Sequence, residues 1–95
     1  MKIVKEFILR EIAGETVLVP TGNTAQEFNG LLTLSESAAF IWENIEKVES
    51  LEEMIELILE NYEVDREVAL KETIEFISTL VNSRIVECTR EDRKW

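Results

Sequence analysis

The side chains that could perform chemistry in this chain are almost all carboxylates. Its 95 residues include 20 Asp and Glu, one cysteine and no histidine. A general base that works near neutral pH is usually a histidine, and zinc sites draw on several cysteines or histidines. Composition therefore excludes both kinds of site. The three glycines do not cluster, so no glycine-rich phosphate-binding motif is present either.

The carboxylates themselves do not point to catalysis. Glu52, Glu53, Glu56 and Glu60 have the spacing of a solvent-exposed helical face, which favours a solubility role over a catalytic pair. Cys88 has no evident base that would activate its thiol. We therefore predict that the protein is not an enzyme, with no catalytic residue, no metal site and no cofactor.

The net charge of −10 limits the possible partners. Residues 1–34 contribute −1, and residues 35–95 contribute the remaining −9. Such a surface repels nucleic acid and anionic membranes, because affinity for phosphates comes from Lys and Arg. The charge favours solubility, with an acidic docking face for a basic partner as the alternative. The single cysteine and the lack of a long apolar run predict a cytoplasmic protein.

Alternating apolar residues predict three strands in the first third of the chain. The candidates are Phe7–Ala13, Thr16–Pro20 and Phe28–Leu34. Gly14-Glu15 is predicted as a tight hairpin turn, and residues 21–27 as a polar loop. The simplest assembly of these strands is a three-stranded antiparallel meander.

Helical periodicity replaces alternation after residue 34. Three helices are predicted, at about Ser35–Lys47, from Ser50 to about Tyr62, and from Asp65 to about Ser83. Ser35 is expected to cap the first helix, and Ser50 with Glu53 forms a capping box for the second. The apolar faces contain Ala38, Ile41, Trp42 and Ile45 in the first helix and Leu51, Met54, Ile55 and Ile58 in the second.

These elements predict one α+β domain over residues 1–95. A three-stranded antiparallel sheet precedes a three-helix bundle, in an arrangement like a winged helix with its hairpin at the N-terminal end. Ile85–Cys88 is a candidate short strand, and residues 89–95 are expected to form a frayed tail with an exposed Trp95.

The third helix has more apolar surface than one-sided packing requires. Its apolar arc spans about 160°, against the roughly 100° of an ordinary amphipathic helix. One stripe contains Leu70, Ile74, Ile77 and Val81, and the other contains Ala69, Thr73, Phe76 and Leu80. Either both stripes are buried, or one faces the core and the other lines a groove. The third strand is also last in the meander, so its outer edge is free for another chain, unless Ile85–Cys88 or a second copy covers it.

Four segments of this chain resemble a known family in their order and spacing. They are FILREIAGETVLVP from Phe7, FNGLLTLSESAAFIW from Phe28, ENYEVDRE from Glu60, and FISTL from Phe76. Together they resemble the PqqD family over roughly residues 7–86. The family often has Lys-Gly after its last helix, where this chain has Ser83-Arg84, and Asn82 is the candidate for the left-handed position there.

The resemblance implies a recognition domain that binds the leader segment of a ribosomally made precursor peptide. The leader would add as a strand beside Gly30, Leu31, Leu32, Thr33 and Leu34. It would dock against a groove wall on the third helix, drawn from Leu70, Lys71, Ile74, Glu75, Ile77 and Val81. On this interpretation, Ile74→Asp abolishes leader binding.

The resemblance also implies the partners. The bound leader would be presented to a modifying enzyme, such as a radical SAM maturase, or to a leader peptidase or cyclase. Two alternatives follow from the residues: a winged-helix DNA-binding regulator, which the acidic charge opposes, and a module that forms homodimers through its third strand.

Overall fold

A three-stranded antiparallel sheet precedes the main helices of the protein. The computed structural model describes residues 1–28, 30–88 and 95. The strands are β1 (Lys2–Ile3), β2 (Phe7–Ile12), β3 (Glu15–Pro20), β4 (Leu32–Leu34) and β5 (Val86–Glu87). The helices are α1 (Thr24–Glu27), α2 (Glu36–Asn44), α3 (Leu51–Asn61) and α4 (Arg66–Asn82). The sheet order β2-β3-β4 confirms the predicted meander and the α+β class.

The hairpin between β2 and β3 turns one residue earlier than predicted. Ile12 pairs with Glu15, so Ala13 and Gly14 form the two-residue loop. Both have positive φ, 52° and 82°, as a type I′ turn requires. Gly14 adopts this conformation without strain. Ala13 is held there because a one-residue slip would move Phe7 and Leu9, which pack against the core, to the opposite face of the strand.

The segment between β3 and β4 contains a helical turn where a polar loop was predicted. The Thr24 side chain is buried at 3% exposure, and its Oγ1 accepts a hydrogen bond from the Glu6 backbone N–H at 2.8 Å. This long-range bond anchors α1 beside the start of β2. The Phe28 ring packs edge-on against Phe7 at 5.4 Å, and Gly30 adopts a φ of +103°. The chain therefore bends at Gly30, and β4 is shorter than the predicted Phe28–Leu34.

Side-chain caps define where two of the helices begin. Ser35 Oγ accepts from the Ala38 N–H at 3.1 Å, and Ser50 Oγ accepts from the Glu53 N–H at 3.0 Å, as predicted. In a standard capping box, the Glu53 carboxylate would accept from the N–H of the cap residue Ser50. Here it accepts from the Glu49 N–H, one residue earlier in the chain. Asp65 precedes α4 as predicted but makes no side-chain cap bond.

The core lies between the inner face of the sheet and the apolar faces of α2, α3 and α4. Its most buried side chains include Leu18 from β3, Ile41 from α2, Met54 from α3 and Leu80 from α4. Trp42 belongs to this cluster at 8% exposure, which confirms its predicted core role. The predicted faces of α2 and α3 are buried, except that Ala38 and Leu51 are half-buried.

The C-terminal segment pairs with the N-terminus. β5 lies antiparallel to β1, and the Val4 N–H donates to the Ile85 carbonyl at 2.9 Å. This segment therefore does not cover β4. The predicted frayed tail falls mostly on residues 89–94, outside the described residues. Trp95 was expected to be exposed, but it is half-buried and packs against the core. Among the described residues, no helix has both the length and the apolar character needed to cross a membrane.

α4 ends in a Schellman motif centred on Arg84. The Ile85 N–H donates to the Leu80 carbonyl at 2.9 Å, and the Arg84 N–H donates to the Val81 carbonyl at 3.0 Å. Arg84, and not Asn82 as predicted, occupies the left-handed position, with a φ of 58°. A glycine adopts this conformation without the steric cost that a Cβ imposes.

We expect Arg84→Gly to raise the free energy of unfolding by about 0.5–1 kcal/mol, because the strain at positive φ outweighs the extra freedom of glycine in the unfolded chain. Urea denaturation measures the change. Ser83→Gly is the matched control: Ser83 has a φ of −86°, so glycine there should destabilise. Equal effects of the two substitutions would contradict strain at Arg84.

Candidate functional site

β4 is an edge strand. It pairs with β3 through Leu32, Thr33 and Leu34, and no described strand lies on its other side. Leu34 is buried and Leu32 half-buried, whereas Thr33 is exposed, so its side chains alternate between core and solvent. Exposed strand edges offer N–H and C=O groups that another chain can pair with. The C-terminal segment does not cover this edge, because it pairs with β1 instead.

A cavity of about 340 Å³ opens beside this edge, between β4, the start of α2 and one flank of α4. Its lining combines an apolar floor with polar walls. The lining residues are Thr33, Leu34, Ser35, Ser37, Ala38, Ile41, Glu72, Glu75, Phe76 and Thr79. We call this space the β4 groove.

A second cavity, of about 280 Å³, adjoins the β4 groove. The two share Ser35, Ser37, Ile41 and Glu72. The Ser37 hydroxyl donates to the Glu72 carboxylate at 2.8 Å and thereby links α2 to α4 where the two cavities meet. The second cavity extends to the end of α3, where it is lined by Ile58, Tyr62 and Val64. Glu36 of α2 and Ala69 and Thr73 of α4 complete its lining.

Only some of the site residues predicted from the sequence line the β4 groove. Thr33, Leu34 and Glu75 line the β4 groove. Leu32 packs against the core from β4, and Gly30 and Leu31 lie exposed just before this strand.

The remaining α4 residues of the predicted wall lie outside the groove. Leu70 lines a different cavity with Leu51 and Arg66, and Val81 lines one with Arg84. Ile77 is buried at 7% exposure, whereas Ile74 is 46% exposed. Lys71 is exposed and does not line the groove.

Helical periodicity identifies apolar stripes but not the side on which the sheet lies. Ala69, Thr73, Ile77 and Leu80 are buried, so the core contacts the centre of the combined apolar arc. β4 lies across the flank of Glu72, Glu75 and Thr79, whereas Leu70, Ile74 and Val81 project from the opposite flank. The polar character of this flank explains why sequence analysis missed Glu72 and Thr79, whereas helical periodicity assigns Ala38 and Ile41 of the lining to the buried face of α2.

Arg66 is held away from both cavities. Its guanidinium donates to Glu56 and to Glu52, each at 2.7 Å, which ties the start of α4 to α3. The hydrogen bond to Glu56 raises the pKa of the Arg66 guanidinium, so this group stays cationic. Among the described residues, no cluster of His, Cys, Asp or Glu is arranged to hold a metal ion.

Comparison with known proteins identifies the fold. The family model for coenzyme PQQ synthesis protein D (PqqD) matches residues 8–86. The chain belongs to the PqqD family. This PqqD-family chain is similar in structure to a protein solved as "TbiB1 in Complex with the TbiA(beta) Leader Peptide", with a TM-score of 0.67 and 26% sequence identity. The match covers 94% of this chain and 98% of that one. A comparison with curated proteins finds no significant match.

In this PqqD-family domain, Ser35 organises the start of α2 at the junction of both cavities. We expect Ser35→Ala to lower the free energy of unfolding by about 1 kcal/mol, because the Ala38 N–H loses its cap acceptor. Thermal denaturation measures the loss. Ser37→Ala is the control: it removes the bond to Glu72 and the 3.3 Å contact with Ser35 Oγ but leaves the Ala38 N–H its acceptor, so it should cost less. A larger loss for Ser37→Ala would contradict this role of Ser35.

Proposed function

We propose that this protein is a non-catalytic recognition domain that binds the leader segment of a ribosomally synthesised precursor peptide. The observation that carries the proposal is the similarity to TbiB1, over nearly the full length of both chains, in a structure that contains a leader peptide. Membership of the PqqD family supports the same role. The uncovered edge of β4 beside a groove is the physical feature that such binding needs.

The leader adds as a fourth strand beside β4. Its backbone pairs with the edge formed by Leu32, Thr33 and Leu34, which Gly30 and Leu31 extend. Alternate leader side chains then point into the β4 groove and contact Phe76 and Thr79 on α4. Backbone pairing provides affinity with little dependence on sequence, and the groove provides selection.

The function of binding is delivery. A modifying enzyme that contacts this domain gains a high local concentration of tethered substrate, without any chemistry from the domain itself. The partner is a radical SAM maturase, or a leader peptidase or cyclase. A second copy of the chain pairing through β4 would compete for the same edge, so binding and self-association would oppose each other.

Backbone pairing predicts an alternating response to N-methylation of the leader. Because only every second N–H of an added strand faces β4, methylating those amides should weaken binding about tenfold per site. Methylating the intervening amides should change it little. Fluorescence anisotropy with the leader encoded by the nearest small open reading frame measures this. Diffusion measurements on the same sample report any dimer, and a uniform response along the leader would exclude strand addition.

The two flanks of α4 can be compared directly by substitution. We expect Thr79→Trp to fill the β4 groove and weaken leader binding by at least about tenfold, or about 1.4 kcal/mol. Ile74→Trp introduces the same side chain on the exposed opposite flank and should leave the Kd unchanged.

Ile74→Asp extends the comparison, since the sequence alone predicted that it abolishes binding. Circular dichroism of each variant separates loss of fold from loss of binding. If both Ile74 variants lost binding while folded and Thr79→Trp retained it, the peptide would lie on the opposite flank of α4.

A further inference from the structure

The second cavity has the composition of a site for one long side chain. Ile41, Ile58, Val64 and Ala69 supply apolar walls, and polar groups lie among them. It adjoins the β4 groove and shares lining residues with it, so a long side chain of a peptide on β4 would enter it by passing the Ser37–Glu72 hydrogen bond.

The charged side chains that line the two cavities are all negative. Glu72 lines both, Glu75 lines the β4 groove and Glu36 lines the second cavity, whereas no Lys or Arg is among the lining residues of either. Glu72 and Glu75 are three residues apart on one helix, so their carboxylates repel each other. The ion pairs between described side chains instead join Lys5 to Glu27 and Arg66 to α3. The lining of both cavities is therefore acidic, and the partial positive charge at the N-terminus of α2 offsets only part of its charge.

Thr73 provides an independent sign of a missing ligand. Its side chain is fully buried and lines the second cavity, yet its hydroxyl has no hydrogen-bond partner among the described residues. A buried polar atom left unpaired costs about 1–3 kcal/mol. Glu72, the preceding residue, lines the same cavity and uses one carboxylate oxygen to accept from Ser37. Because Thr73 has no accessible surface, a donor placed beside Glu72 reaches the Thr73 hydroxyl only after a local shift of the side chains that cover it.

The Tyr62 ring adds an aromatic group to the lining. It lines the second cavity and is held edge-on against Phe40, at 5.3 Å between ring centroids. Aromatic faces attract ammonium and guanidinium groups, and apolar walls accommodate the methylene stems of long basic side chains.

We propose that the second cavity receives a lysine or arginine side chain of the bound peptide. This inference rests on the proposed function and adds the chemical class of the ligand. The stem of the basic side chain lies along Ile41 and Val64. Its head group pairs with Glu72 and donates to the Thr73 hydroxyl.

Other side chains fit the second cavity less well. An aspartate or glutamate would be repelled by Glu36 and Glu72, and a purely apolar side chain would leave the Thr73 hydroxyl unpaired. The N-terminus of α2 also borders the cavity and disfavours a cation there, but Glu36 in its first turn offsets this partial positive charge.

The first experiment uses displayed random 12-residue peptides selected on the full chain. Peptides that depend on the β4 groove are those that lose binding to Thr79→Trp. We expect lysine or arginine to be enriched at one position among them. Replacing that residue with methionine, which keeps the apolar stem, should weaken binding about tenfold. Groove-binding peptides without an enriched basic position would overturn this inference and leave the proposed function standing.

Two substitutions assign the contacts of the basic residue. We expect Glu72→Gln to weaken binding of the selected peptide about three- to tenfold, with a smaller salt dependence. Thr73→Val should weaken it about two- to tenfold while preserving or raising the melting temperature, because it removes an unpaired buried hydroxyl. In both variants, replacing the basic residue of the peptide with methionine should weaken binding by a smaller factor than it does in the wild type.

Glu60→Gln is the matched control for charge. It removes one negative charge from the exposed face of α3, away from both cavities. A loss of binding as large as that of Glu72→Gln would mean that the peptide senses only the net charge, which would overturn the proposed contact. If no selected peptide depends on the β4 groove, the proposed function fails and this inference fails with it.

Discussion

The direct junction between β4 and α2 is the constraint on which the candidate site depends. Leu34 ends the strand with its side chain buried, and Ser35, the next residue, caps the helix through its bond to the Ala38 N–H. No loop separates the two elements, so the direction in which the sheet ends also sets where α2 begins. Both cavities open around this point. A loop here would allow the edge of β4 to move relative to α4, and the β4 groove would lose its defined width.

The surface that binds a partner need not be the most apolar one. α4 exposes Leu70, Ile74 and Val81 on one flank, but the flank that borders β4 contains two glutamates and a threonine beside the half-buried Phe76. This arrangement suits strand addition, in which the backbone of the added peptide supplies much of the binding energy. The groove side chains can then discriminate between peptides through charge and hydrogen bonding, because an unpaired or repelled group costs more than an apolar contact gains. On the proposed function, the acidic groove of this acidic protein contributes to selectivity as well as to solubility.

Much of the fold was predictable because its signals are local. Alternation located β2 and β3, the 3.6-residue period located the three long helices, and Ser35 and Ser50 marked two of their beginnings. The errors occurred where a distant contact overrides the local signal. α1 depends on the bond between Thr24 and the backbone of Glu6, and β1, which was not predicted, depends on pairing with β5 at the other end of the chain. Arg84 adopts a left-handed conformation because the Schellman bonds and the buried Leu80 and Ile85 require it.

The sequence by itself determined the class of the fold, its charge, and the absence of histidine and of any cysteine pair. It also indicated an edge strand and a helix with surplus apolar surface. Only the tertiary structure decided which flank of α4 faces β4, since a helical period gives angles around an axis but not the direction of a neighbouring element. The same is true of Glu72 and Thr73. As neighbours on a helix they point in different directions, so that Glu72 is exposed in the groove wall and Thr73 is buried. Only the packing of α2 against α4 makes both part of one cavity.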